Sequence, residues 1–168
     1  MHWLDRLDKG LGRIVGIGRW LVLPVALLLF LQWPLRDLVR AYSRDANDLA
    51  QWIFALYIGF AFTFATRAGT HLAADAFAHR YSPATRGRLF RIGALVCVVP
   101  WSLFILIGFA KPVWQSVLQL EGFPDTYNPG YFLVKLGAWL LALLALLQAL
   151  LDVARGPRAD HPDHPAHP

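Results

Sequence analysis

The chain has 168 residues, 57% hydrophobic and 16% charged, with a mean hydropathy of +0.43 and a formal net charge of +5. Charge this sparse and apolar content this high exclude an ordinary soluble domain. Four long apolar segments, at about residues 14–35, 49–66, 92–110 and 131–151, fill about half of the chain and leave no room for a soluble catalytic domain. Each holds roughly 20 residues, enough for a helix to cross a hydrocarbon core of about 30 Å. The expected fold class is an all-α integral membrane protein, with four transmembrane helices and short interfacial amphipathic helices.

The placement of charge sets the expected topology. With the N-terminus inside, the inner regions carry ten basic residues: Arg6, Lys9, Arg13, Arg67, Arg80, Arg86, Arg88, Arg91, Arg155 and Arg158. The outer loops carry four, Arg36, Arg40, Arg44 and Lys111. The positive-inside rule then places both termini of this multi-pass chain in the cytoplasm. A basic chain of this kind suits anionic lipid head groups, so the lipid bilayer is an expected partner and nucleic acid is not. The lone Cys97 lies in the third apolar segment and has no internal disulfide partner. The first apolar segment is too long for a signal core and no small-x-small cleavage site follows it, so it reads as a retained anchor.

In chain order, Trp3, Leu4, Leu7 and Leu11 fall at helical spacing among charges and predict a short interfacial helix before span one. Arg19 lies less than two turns into that span and can snorkel back to the inner interface. Trp33-Pro34 closes the span, and residues 35–48 read as an amphipathic connector. Asn47 and Asp48 supply capping chemistry for span two. Within span two, Ala55, Gly59 and Thr63 recur at intervals of four, a small-residue stripe that admits another helix closely. Packing inside the four-helix unit and docking to another chain are equally open uses of that stripe.

The inner loop places His71, Asp75 and His79 four residues apart, on one polar helix face. Together they extend about 12 Å along such a helix, too far to hold one metal ion, and read as a solvated face. Ser82-Pro83 forms an N-cap with Pro at the first helical position. Helical pattern then runs to about residue 110, with a kink expected at Pro100. The outer loop, residues 111–130, begins with an amphipathic helix that turns Val113, Trp114, Val117 and Leu118 toward lipid or protein, and ends in Pro- and Gly-rich turns. Span four contains Lys135, Ala138, Ala142, Ala145, Ala149 and Asp152 at spacings of three or four, with Gln148 as a polar group in its inner half. A helix-to-helix hydrogen bond is the expected use of Gln148. The membrane domain should therefore cover residues 1–155, with spans at about 14–35, 49–66, 83–110 including a cytoplasmic extension, and 131–151. The Pro- and His-rich residues 156–168 form an expected disordered tail.

Catalytic motifs are lacking: there is no P-loop, no dinucleotide-binding glycine signature and no CxxC. No His lies in any span, which argues against haem between the helices, and no paired acidic residues lie within the membrane. The sequence therefore predicts no catalytic residue, no cofactor and no metal site. A chain of four spans without internal repeats reads as a subunit, not a self-sufficient enzyme or carrier.

Two ordered sets of residues carry a family likeness. One is Asp48-Leu49, an aromatic span two, and then Gly69-Thr70-His71-Leu72-Ala73-Ala74-Asp75. The other is Pro112-Val113-Trp114-Gln115-Ser116, Glu121-Gly122, Pro124-Asp125, Lys135 and the Leu-Leu-Ala-Leu-Leu-Gln148 run. In this order and spacing, from about residue 5 to about 155, the chain resembles the small membrane subunit (Q subunit, DctQ type) of tripartite ATP-independent periplasmic (TRAP) transporters. Asp48 stands where that family often has Glu, and Ala73 where it tends to have Arg, so no critical charge is expected at residue 73. The resemblance implies a permease subunit working with a large membrane subunit and a periplasmic substrate-binding protein. It further implies sodium-coupled uptake of organic acids, with this subunit as scaffold for an elevator-like partner. The partner-interface candidates are the stripes Ala55, Gly59, Thr63 and Ala138, Ala142, Ala145, the family-motif residues Asp48, His71, Asp75, Ser116 and Gln148, and the charges Glu121 and Lys135, which can pair with each other or with the partner. A stand-alone four-helix redox membrane subunit, or a membrane assembly factor, is the alternative reading.

Overall fold

The computed structural model describes residues 2–38, 44–68 and 82–155. Among the described residues every regular element is helical, and the single β-type pairing is an isolated bridge between Gly122 and Pro129. Helix α1 (His2–Gly18) continues through a 3-10 turn (Arg19–Leu21) into α2 (Val22–Leu38). Gly18 and Val22 both keep right-handed helical dihedrals, so the two form one rod. The apolar stretch of this rod, Trp3–Pro34, has 32 residues. At 1.5 Å per residue that is about 48 Å, longer than a hydrocarbon core, so the rod must tilt or leave it. Pro34 lies within α2 without ending it.

The expected interfacial helix is thus the first part of this rod, and its apolar residues divide between two sides. Leu4, Leu11 and Val15 pack inward with Phe60, Phe64, Leu140, Leu144 and Leu151, whereas Trp3 and Leu7 are exposed. Helix α3 (Arg44–Ala68) already contains Asn47 and Asp48, which lie inside its first turns and do not cap it.

Ser82 starts α4 (Pro83–Gly93): its hydroxyl accepts from the Thr85 backbone N–H at 3.3 Å, with Pro83 just inside. A π-helical turn (Ala94–Val98) follows, then α5 (Val99–Gly108). The Val99 N–H bonds Ala94 O, five residues back. In a regular helix the Pro100 ring would strike the carbonyl four residues earlier and leave it without a donor. The widened turn directly before Pro100 is the expected response to that clash. After a turn at Phe109 comes α6 (Ala110–Leu118), then a folded loop and α7 (Tyr131–Arg155).

Helices α3 and α7 form the central pair. Helices α1 and α2 pack against α3, while α5 and α6 pack against α7. The first and third spans make at most marginal contact, so the bundle is open, not closed on itself. Accordingly 39% of the fourth span is buried, against 17–22% of the other three. Small residues make the central seam: a Cβ added to Gly137 would lie 2.9 Å from the Ala55 carbonyl carbon and Cβ. On α3, Gly59 faces the backbone of Gly137 and Leu141. The two main chains touch, which only small residues permit.

Candidate functional site

Most side-chain hydrogen bonds between distant segments of the described structure gather at the two ends of the α3–α7 pair. At the end near the N-terminus, Arg67 is the hub. Its Nη1 lies 2.6 Å from Asp8 Oδ1 on α1 and donates to Gln148 Oε1 on α7 at 2.9 Å. Its Nη2 donates to the Asp8 carbonyl at 3.2 Å. Gln148 Nε2 then donates to Asp152 Oδ1 at 2.8 Å. The Arg67 and Asp8 side chains are about 14% and 16% exposed, beside the Leu11, Val15, Leu144 and Leu151 cluster. Gly12 makes the space: a Cβ there would sit 3.1 Å from Arg67 Nη2. One guanidinium with several donors in fixed geometry therefore joins three helices.

At the opposite end, the loop 119–130 folds onto the start of α3. Phe123 N–H bonds Asn128 O and Tyr127 N–H bonds Phe123 O, both at 2.8 Å. Tyr127 takes a left-handed φ of 58°, and Gly130, at φ 143°, occupies a region that favours glycine. Phe123 is buried, edge-on to Tyr131 with centroids 5.6 Å apart. Asp48, itself buried, accepts from Thr126 Oγ1 at 2.5 Å, and Asn128 Nδ2 donates to Asp45. A half-open cleft of about 450 Å³ lies beside this contact, lined in part by Arg44, Asn47, Gln51, Asp125 and Tyr131.

Next to that loop, Lys135 Nζ lies 2.5 Å from Glu121 Oε2, and the buried Ser116 hydroxyl donates to the same oxygen. The Lys135 ammonium and the Ser116 hydroxyl hold the Glu121 carboxyl below its usual range. Lys135 also lies 5.4 Å from the Tyr131 ring centroid.

The sequence candidates therefore divide. Asp48 binds the loop 119–130, Ser116, Glu121 and Lys135 form one cluster, and Gln148 belongs to the Arg67 hub. Thr63 is buried, its hydroxyl donating to Gly59 O at 3.2 Å. Ala55 and Gly59 face α7, and Ala142 and Ala145 are buried within the chain, while Ala138 is exposed. The stripe on α3 is thus filled by α7 of the same chain, and Gly59 and Thr63 have no surface to offer a partner. On α6, Val113 and Ser116 point inward, whereas Trp114 and Leu118 point out. His71, Asp75 and His79, together with residues 156–168, lie outside the described residues. Among the described residues no group of three His, Cys, Asp or Glu side chains is placed to hold a metal ion.

Sequence reasoning missed Asp8, Arg67, Thr126 and Asn128 as structural partners. Arg67 reads as one more inner-loop charge. Its signal was available: opposite charges near one end of two apolar helices, in a chain where Gln148 already requires a donor.

The family model of DctQ components of tripartite ATP-independent periplasmic transporters matches residues 25–156. This range includes both clusters at the Lys135 end, the α3–α7 seam, Arg67 and Gln148. The chain belongs to the DctQ family. It is a small permease subunit of a TRAP transporter and a multi-pass membrane protein. The DctQ match begins within α2, so Asp8 on α1 lies ahead of it. No curated protein and no solved structure matches the chain.

Proposed function

We propose that this DctQ subunit is a rigid scaffold for the large subunit of a sodium-coupled TRAP transporter of organic acids. A periplasmic binding protein delivers the substrate, and the large subunit carries it. The observation behind this reading is the closed central seam. Ala55 and Gly59 meet Gly137 and Leu141 backbone to backbone, so the α3–α7 pair has no space for a solute or a sliding element. A solid seam suits a fixed part against which another subunit moves. The open flanks suit lateral association: exposed Phe30 and Leu27 lie on α2, and exposed Trp101, Phe104 and Ile107 on α5. The basic residues of α1 and α4 support a topology with both termini in the cytoplasm, and membership of the TRAP family supports an inner membrane location.

Reconstitution tests this directly. Vesicles holding this chain with its large subunit should take up organic acid only when both a sodium gradient and the binding protein are supplied. Vesicles holding this chain alone should take up none. Uptake by this chain alone, or a large subunit that transports equally well without it, would overturn the scaffold reading. Fluorescent-protein fusions at either terminus should report the cytoplasmic side.

A further inference from the structure

Arg19 is a charged group embedded in an apolar rod. Its backbone depth is fixed by its neighbour Gly18, which abuts Phe60 of α3 so closely that an added Cβ would fall 2.2–2.7 Å from that side chain. The guanidinium itself lies over Phe64, 4.7 Å from the ring centroid, and 5.7 Å from the ring of Trp20. Phe64 is one turn from Phe60, so the head group has moved about 6 Å along α3 toward the end that holds Arg67. It stops three residues short of Arg67, about 4.5 Å along the helix axis.

The rings hold the cation but supply no oxygen acceptor. Among the described residues no carboxylate, carbonyl or hydroxyl accepts from Arg19. Both Arg19 and Trp20 are exposed on the outside of the bundle. Guanidinium N–H groups at this depth require an acceptor, because leaving them bare in hydrocarbon is costly. A lipid head-group phosphate at the near membrane boundary offers the matching one, since guanidinium and phosphate pair through parallel hydrogen bonds. The surrounding surface selects further. Arg6, Lys9 and Arg13 are exposed on the α1 face opposite Leu11 and Val15, with Trp20 continuing that face. That strip of positive charge favours a head group with net negative charge over a zwitterionic one.

We propose that Arg19 and Trp20 form a binding site for the phosphate of an anionic phospholipid, in the leaflet on the N-terminal side of the bundle. The site requires only that the chain crosses a membrane, and stands whichever side is cytoplasmic and whether or not the subunit is a scaffold.

Native mass spectrometry of the full chain, delipidated in detergent, tests it with phosphatidylglycerol, phosphatidylcholine and inorganic phosphate as separate probes. The wild type should retain one phosphatidylglycerol in preference to phosphatidylcholine. Arg19→Gln should weaken that retention about fivefold, the value of one cation near an anionic surface. Arg19→Lys should keep more of it than Arg19→Gln, and Lys111→Gln, at the opposite end, should keep all of it. Equal retention by Arg19→Gln and the wild type would overturn the site. So would equal retention of phosphatidylcholine, or displacement of the lipid by inorganic phosphate at the same concentration, which would mark a free-anion site. An Arg19→Gln chain that aggregates leaves the decision to Arg19→Lys and the competition series, which use folded protein.

Discussion

At the N-terminal end of the bundle, Arg67 lies between Asp8 and Gln148 and binds three helices from within. At the other end, Lys135 and Glu121 pair with about a third of each side chain exposed, and Asp48 ties down a loop. The same chemistry, a charge-assisted hydrogen bond, therefore has different consequences at the two ends. Around Arg67 the surroundings are largely apolar side chains of the bundle, so a lost partner is poorly replaced. Around Glu121 water can replace a lost partner. The first end fixes the relative register of spanning helices, and the second fixes the shape of an exposed loop. In a scaffold these are separate tasks: the first makes the body rigid and the second shapes the surface that other components meet.

The sharpest way to break this contrast is Arg67→Met. It should cost about 3 kcal/mol, because the largely covered Asp8 and Gln148 both lose their Arg67 contact, and thermal unfolding in detergent should show a clear fall in Tm. Asp8→Asn on the Arg67→Met background should recover part of the loss. If Arg67→Met unfolds within a degree of the wild type, the hub is no lock. Gly137→Leu attacks the seam between the two ends. Its side chain would collide with the Ala55 main chain, so a cost of about 2–3 kcal/mol and poor recovery of monodisperse protein are expected on size exclusion.

Smaller effects belong to the loop end. Asp48→Ala removes the acceptor of Thr126 and should cost about 1.5 kcal/mol. Hydrogen exchange should rise in residues 121–130 with little change in α7. Glu121→Gln should have the smallest effect on stability of the series, as expected for a partly exposed pair. Its pH signature is more specific than its size. The folded carboxyl titrates below the ordinary glutamate value of about 4.3, so its contribution is fully present above that pH. It is lost as the pH falls through the lowered folded value. Loop protection, corrected for intrinsic exchange rates, should therefore persist at pH 5 and decline only in stronger acid. In Glu121→Gln this acid-dependent step should disappear, and an unchanged step would assign it to another carboxyl.

Much of this was legible in the residues. The four apolar segments require helices, because no other open-chain structure satisfies its own backbone in hydrocarbon. Ser82-Pro83 marked a helix start by local chemistry. The order of Asp48, Ser116, Glu121, Lys135 and Gln148 carried the likeness to the DctQ family. What periodicity does not contain is the choice of neighbour. Gly59 and Thr63 look equally suited to a partner chain or to α7, since a small-residue stripe states only that something comes close. The rod from Trp3 to Pro34 hid its length, because the break expected near residue 13 depends on whether α1 finds a groove, and α3 with α7 provides one. Asp8 and Arg67 are 59 residues apart, and only antiparallel packing brings them to one depth. The sequence by itself thus determined that the chain is all-helical with four segments apolar enough to span a membrane, because that follows from local hydrophobicity. Tertiary structure alone decided which faces are spent inside the chain, because contact between distant segments depends on how backbones fit.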